Sequence, residues 1–177
     1  MKYLAYGSNM LTQRLNARVS SAAKPSTVAL RGHALLFHKR SNDGSGKCSI
    51  VKTDSDDDVI YGVVFDVADE QMSALDKAEG VGQGYRRDEI TLMVGRDATK
   101  AFVYIAEENY RDNALRPYRW YYDLVLAGAE EHALPAKYVR KLRAVSFIED
   151  TAADRPTRLE ALAALNKYAQ SKKTSSP

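Results

Sequence analysis

The run Val59–Val67, VIYGVVFDV, constrains this chain most. It is β-branched, aromatic and almost wholly apolar, the composition of a strand rather than of a helix. An alternating strand leaves one face to water, whereas a continuous apolar one is buried on both faces. The chain must therefore lay further structure over either side of this strand. At 177 residues it has the length to do so within one domain and to bury a sizeable core.

The other elements are read outward from that strand. Met1 to Tyr6 is a first strand. Met10 to Arg18 follows as a helix with Leu11 and Leu15 four apart, and Ser8 or Asn9 can cap it. Val28 to Lys39 is rich in apolar residues and runs into a polar turn, Ser41 to Gly46. Cys48 to Val51 is a short strand, and Asp54 to Asp58 a charged loop. Asp69 starts a helix that puts Met72, Leu75 and Ala78 on one side and stops at Glu79-Gly80. A glycine-rich loop, Val81 to Tyr85, comes next. Arg87 to Val94 and Lys100 to Ala106 read as strands around a turn near Gly95-Arg96-Asp97. Helices are expected at Pro117 to Ala129, at Pro135 to Val145 and at Arg158 to Gln170. The last is amphipathic, with Leu159, Leu162 and Leu165 near helical period, and Lys172 to Pro177 is expected as a disordered tail. Strands first, with helices inserted and then clustered late, argue for an α+β fold. Residues 1–150 form the domain, and residues 151–177 add a C-terminal helix and tail to it.

Composition narrows the function classes. The net charge is only +3, and the densest basic stretch, Lys137 to Arg143, is interleaved with apolar residues as on a solvated helix face, so no nucleic-acid surface is expected. No apolar run approaches the roughly 20 residues of a membrane span. Gly7-Ser8-Asn9 interrupts any signal-peptide pattern at the N-terminus, and the single cysteine, Cys48, forms no internal disulfide and fits a reducing cytoplasm. His33, His38 and His132 lack metal-ligand spacing, and Asp56-Asp57-Asp58 lacks the alternation of a calcium loop, so no metal is expected.

Two stretches carry chemistry. Tyr6-Gly7-Ser8-Asn9 lies at a strand-to-helix junction, where free backbone N–H groups can meet a carboxylate or a developing oxyanion. Taken alone it is equally a capped turn without a ligand. Ser8 lacks the flanking glycines and the His-Asp partners of an activated nucleophile. Glu79 ends a helix, where the dipole disfavours a carboxylate and raises its pKa, and where Lys or Arg would serve stability better. Such a group suits a base that later returns its proton. Taken alone it is also a solvated surface glutamate. Tyrosine is abundant, with 11 residues, and Tyr85, Tyr104 and Tyr121 are candidates for a pocket wall as well as for ordinary packing.

Together these stretches resemble the γ-glutamylcyclotransferase family, including its AIG2-like relatives. The resemblance rests on YGSNM at Tyr6 to Met10, LDKAEG at Leu75 to Gly80, and AGAEEHALPAKYVRKLRAV at Ala127 to Val145. It implies a small mixed β-barrel flanked by helices, with a pocket at the barrel mouth beside the first loop. It also implies an enzyme without metal or organic cofactor, which releases 5-oxoproline when the substrate's α-amine attacks its own γ-carbonyl. On this resemblance Glu79 is the catalytic carboxylate, the amides of Gly7, Ser8 and Asn9 hold the substrate, and Tyr6, Tyr85, Tyr104 and Tyr121 line the pocket. A homodimer is possible on the same ground. Two alternatives stay open: a binding module for γ-glutamyl metabolites or a protein partner, and a cyclotransferase for γ-glutamylamines or a biosynthetic intermediate. Arg86 and Arg87 are candidates for meeting a leaving-group carboxylate, against an ordinary surface role.

Overall fold

The continuous apolar strand forms as expected and occupies an interior place in a sheet. The structure, a computed structural model, describes residues 1–174. Its strands are β1 (Lys2–Ala5), β2 (Ala23–Arg31), β3 (His33–Arg40), β4 (Gly46–Lys52), β5 (Val59–Asp66), β6 (Tyr85–Val94) and β7 (Asp97–Ala106). Its helices are α1 (Thr12–Asn16), α2 (Met72–Glu79), α3 (Arg119–Glu131), α4 (Ala136–Arg143) and α5 (Pro156–Thr174). Five strands make one mixed sheet in the order β2-β5-β1-β7-β6, and β3 and β4 make a separate hairpin. β5 pairs antiparallel with β2 on one edge and with β1 on the other. β1 is parallel to β7, with Tyr3 opposite Phe102, and β6 and β7 form a ladder from Tyr85–Ala106 to Val94–Asp97.

The fold is α+β, with helices packed around the sheet and hairpin. The edge strands β2 and β6 curl to within 8 Å of each other between Cα atoms, yet the sheet order ends at both, so the expected barrel is approached without closing. The core runs through Leu4, Phe65, Val63, Leu75, Val103 and Leu124. Helix α4 keeps Tyr138, Val139 and Leu142 inside and turns its basic residues outward, as its spacing predicts.

Four stretches depart from the sequence reading. The helix expected over Met10 to Arg18 is broken: a short 3-10 turn covers Ser8–Met10, Leu11 is extended, and only Thr12–Asn16 is α-helical. The stretch Val28 to Lys39 is split at Gly32 into strands that belong to different sheets. Helix α5 buries Ala161, Ala164 and Tyr168, while Leu159 and Leu162 are exposed. It packs small residues against α1 and α3, so the leucine stripe is not its inner face. Lys172 to Thr174 continue that helix rather than a disordered tail, and the rest of that expected tail, residues 175–177, lies outside the described residues. Among the described residues no helix is long and apolar enough to cross a membrane.

One contact fixes the N-terminal turn. An ideal Cβ on Gly128 of α3 would lie 2.5 Å from the amide nitrogen of Leu11 and 2.7 Å from Met10 Cβ. The helix therefore lies directly on the turn's backbone. In an open helix Gly128→Ala would gain about 1 kcal/mol of helix propensity. Overpacking costs typically ~1–3 kcal/mol, and backbone atoms cannot rotate away. The expected result is a net loss of stability, read as a lower midpoint in urea denaturation; an unchanged or raised midpoint would contradict this packing. In β4, Cys48 is buried, and burial pushes its thiol up to about 12. The native protein is expected to resist a thiol reagent at pH 8 and to react fully once unfolded; labelling of the native protein would place Cys48 elsewhere.

Candidate active site

Strand β1 delivers the chain into the site. Tyr3 to Ala5 of the strand and Tyr6 just beyond it are buried, and the chain then turns through Gly7 into the Ser8–Met10 turn. The first turn bond is Met10 N–H to Gly7 O at 3.0 Å. The amides of Gly7, Ser8 and Asn9 precede it, and among the described residues they donate to no acceptor. The φ of Gly7, −120°, is on the negative side that all residues use. What it lacks is space: a Cβ there would stand 3.0 Å from Cys48 Cβ and 3.2 Å from Tyr121 Oη. Small size at this position lets the turn sit against β4 and α3 with its amides free.

Helix α2 delivers Glu79. It ends there because Gly80 takes the left-handed conformation, φ 71°, at the C-cap. One turn earlier, Asp76 pins the helix to the sheet. It accepts a hydrogen bond from Tyr104 Oη at 2.7 Å and one from Arg87 at 2.8 Å. Glu79 Oε1 in turn accepts from Asn9 Nδ2 at 2.8 Å and is ion-paired with Arg18, just beyond α1. The same Asn9 Nδ2 donates to Tyr3 Oη at 2.9 Å, and Arg18 donates to Asn9 Oδ1 at 3.0 Å. The unfavourable helix-end environment expected for Glu79 is thus answered by a guanidinium. The carboxyl is turned inward, with its side chain 15% exposed.

Tyrosines form the walls. Tyr85 Oη donates to Cys48 O at 2.6 Å, and Tyr121 Oη accepts from Cys48 N at 3.1 Å, so both clamp the backbone of β4. Tyr6 Oη bonds the carbonyl of Tyr104. Burial is the first cause that pushes the phenols of Tyr3, Tyr6, Tyr85, Tyr104 and Tyr121 up, so they remain neutral. Tyr6, Gly7, Ser8, Asn9, Glu79, Tyr85, Tyr104 and Tyr121 all border one cavity, together with Tyr3 and Cys48. Its free volume is about 20 Å³, room for roughly one water. At Ser8, Glu79, Tyr85 and Tyr121 it adjoins a wider cleft of about 480 Å³.

Sequence reasoning missed three neighbours. Tyr3 reads as part of the first strand, Arg18 as a helix end and Cys48 as a lone thiol without a disulfide; no spacing signal links any of them to Glu79. Arg86 and Arg87 border neither space. Arg86 pairs with Asp88 on its own strand, and Arg87 with Asp76, so the leaving-group role considered for them falls away. Among the described residues no group of three or more His, Cys, Asp or Glu is placed to hold a metal.

Known proteins resemble this chain in sequence and fold. The AIG2-like family matches residues 59–142. A γ-glutamylcyclotransferase of Bos taurus is 33% identical over 150 residues, covering 81% of this chain and 77% of its own. Its Homo sapiens counterpart is 29% identical over 151 residues with the same coverage. A solved γ-glutamyl cyclotransferase structure superposes with a TM-score of 0.80 at 25% identity, over 92% of this chain and 98% of that one. The chain belongs to the γ-glutamylcyclotransferase family.

Proposed function

We propose that this chain cleaves a γ-glutamyl amide into 5-oxoproline and a free amine or amino acid, with Glu79 as its proton carrier. The observation that carries the reading is the carboxyl of Glu79, turned inward and hydrogen-bonded at 2.8 Å to Asn9 of the amide-bearing turn. A base and a set of oxyanion donors thereby face one small space.

The chemistry needs few groups. The nucleophile is the substrate's α-amine and the electrophile its own γ-carbonyl, so no protein nucleophile is required. Holding the glutamyl chain folded toward five-membered closure supplies much of the barrier reduction, up to ~7–11 kcal/mol for well-oriented intramolecular reactions. Glu79 takes a proton from the α-ammonium and frees the lone pair. The nitrogen attacks the γ-carbon, and negative charge develops on the carbonyl oxygen. The N–H groups of Gly7, Ser8 and Asn9 receive it, one such donor being worth ~3–4 kcal/mol. The bond to the leaving nitrogen breaks as Glu79 returns a proton to that atom. The α-ammonium nitrogen loses two protons in becoming the lactam N–H, and the leaving nitrogen gains two in becoming an ammonium, so the balance closes without water.

The tyrosines exclude solvent and keep the glutamyl methylenes against flat apolar walls. The inner cavity must widen to admit the substrate. Arg18 borders the outer cleft and pairs with one carboxylate oxygen of Glu79. While paired, it and Asn9 fix the carboxyl's direction.

Glu79→Gln keeps the shape and removes proton transfer. With 5-oxoproline release assayed over a panel of γ-glutamyl amides, a loss of at least ~10²-fold in kcat is expected. Undiminished turnover would remove Glu79 from the mechanism.

A further inference from the structure

We propose that Lys39 reads the leaving group of the substrate, and that the group it reads is an anion, such as a carboxylate next to the departing nitrogen. The inference rests on the cyclotransferase reading above. It assigns the outer cleft, which that reading leaves open.

The cleft is rich in cations. Arg14, Arg18, Lys39, Lys47, Lys77 and Arg155 border it beside Glu79. Four of these six have carboxylate partners: Arg14 with Glu160, Arg18 with Glu79, Lys47 with Asp43, and Arg155 with Asp150. Lys39 and Lys77 have none among the described residues, but Lys77 is exposed to water whereas Lys39 is only 7% exposed. Its ammonium rests over the Tyr85 ring at 4.8 Å and beside the Tyr110 ring at 6.0 Å. Tyr85 borders both the inner cavity and the cleft, so Lys39 stands near the junction between them.

The hairpin places it there at a cost. The register between β3 and β4 shifts between Leu36 and Lys39. Such a bulge breaks the alternation of faces and re-aims side chains. His38 and Lys39 are consecutive and both buried as a result. Lys39 then lies directly opposite Lys47, and residues opposite each other share a face. Two like charges in that relation destabilise a ladder. Asp43 and Ser45 take up the charge of Lys47, at 2.8 and 2.6 Å. Nothing equivalent takes up that of Lys39. Burial pushes its amine below the ordinary lysine value, with the more distant Glu79, Asp43 and Glu107 pulling the other way. A desolvated ammonium without a counterion is expensive for a fold that gains only ring contacts from it. An anion arriving with the substrate supplies the missing partner.

The experiment compares γ-glutamyl-alanine with γ-glutamyl-alaninamide, which have the same size and glutamyl end but differ in the charge of the leaving group. The wild type is expected to favour the acid in kcat/KM by about 10- to 100-fold, the range of a charge-assisted hydrogen bond. In Lys39→Met, which keeps the stem's bulk, that ratio is expected to fall toward one through a raised KM for the acid. Lys39→Arg is expected to retain the preference. Equal use of the two substrates by the wild type overturns the inference and leaves the cyclotransferase reading standing, and so does an undiminished ratio in Lys39→Met. Turnover of neither substrate overturns both.

Discussion

The contact between Glu79 and Asn9 joins two segments 70 residues apart, and the chemistry depends on it. A carboxyl at the end of a helix tends to turn outward to water. Here it is drawn inward by an amide and a guanidinium that both come from the first eighteen residues. The two segments could not meet unless each were fixed independently. Helix α2 is fixed by Asp76, which ties it to β7 through Tyr104 and to β6 through Arg87. The N-terminal turn is fixed by α3, whose Gly128 lies on its backbone, and by Cys48, against which Gly7 packs.

This layout explains why tyrosine is so frequent near the site. Tyr85, Tyr104 and Tyr121 each combine a ring that closes the cavity with a hydroxyl that bonds another element. A phenylalanine would provide only the wall. The same side chains that exclude solvent therefore hold β4, α2 and α3 at their separations. Packing and preorganisation are one set of contacts here, and amides fixed before the substrate arrives need no reorganisation as charge develops.

Much of this was legible in the sequence, for identifiable reasons. The β5 run and the helix ending at Glu79-Gly80 are strong local signals, one in composition and one in capping chemistry. The short motif blocks pointed to the residues that border the cavity, and the structure explains their spacing: Asp76 and Glu79 sit three apart because one anchors the helix and the other faces the cavity. The broken first helix was not legible, because Leu11 keeps the apolar spacing of a helix while its backbone is extended. Nor was the inner face of α5, where alanines pack closely while Leu159 and Leu162 stay outside. Arg18 and Lys39 were invisible for a different reason. Each owes its position to tertiary contacts and, for Lys39, to a bulge that no periodicity announces.

The central claim is that the substrate supplies its own nucleophile while the protein moves protons and steadies charge. Turnover in water enriched in oxygen-18 tests it most directly. The account predicts 5-oxoproline whose lactam carbonyl carries no solvent oxygen, released together with the free amine. Glutamate labelled in its γ-carboxylate as the first product would mean that water attacks, and would contradict it.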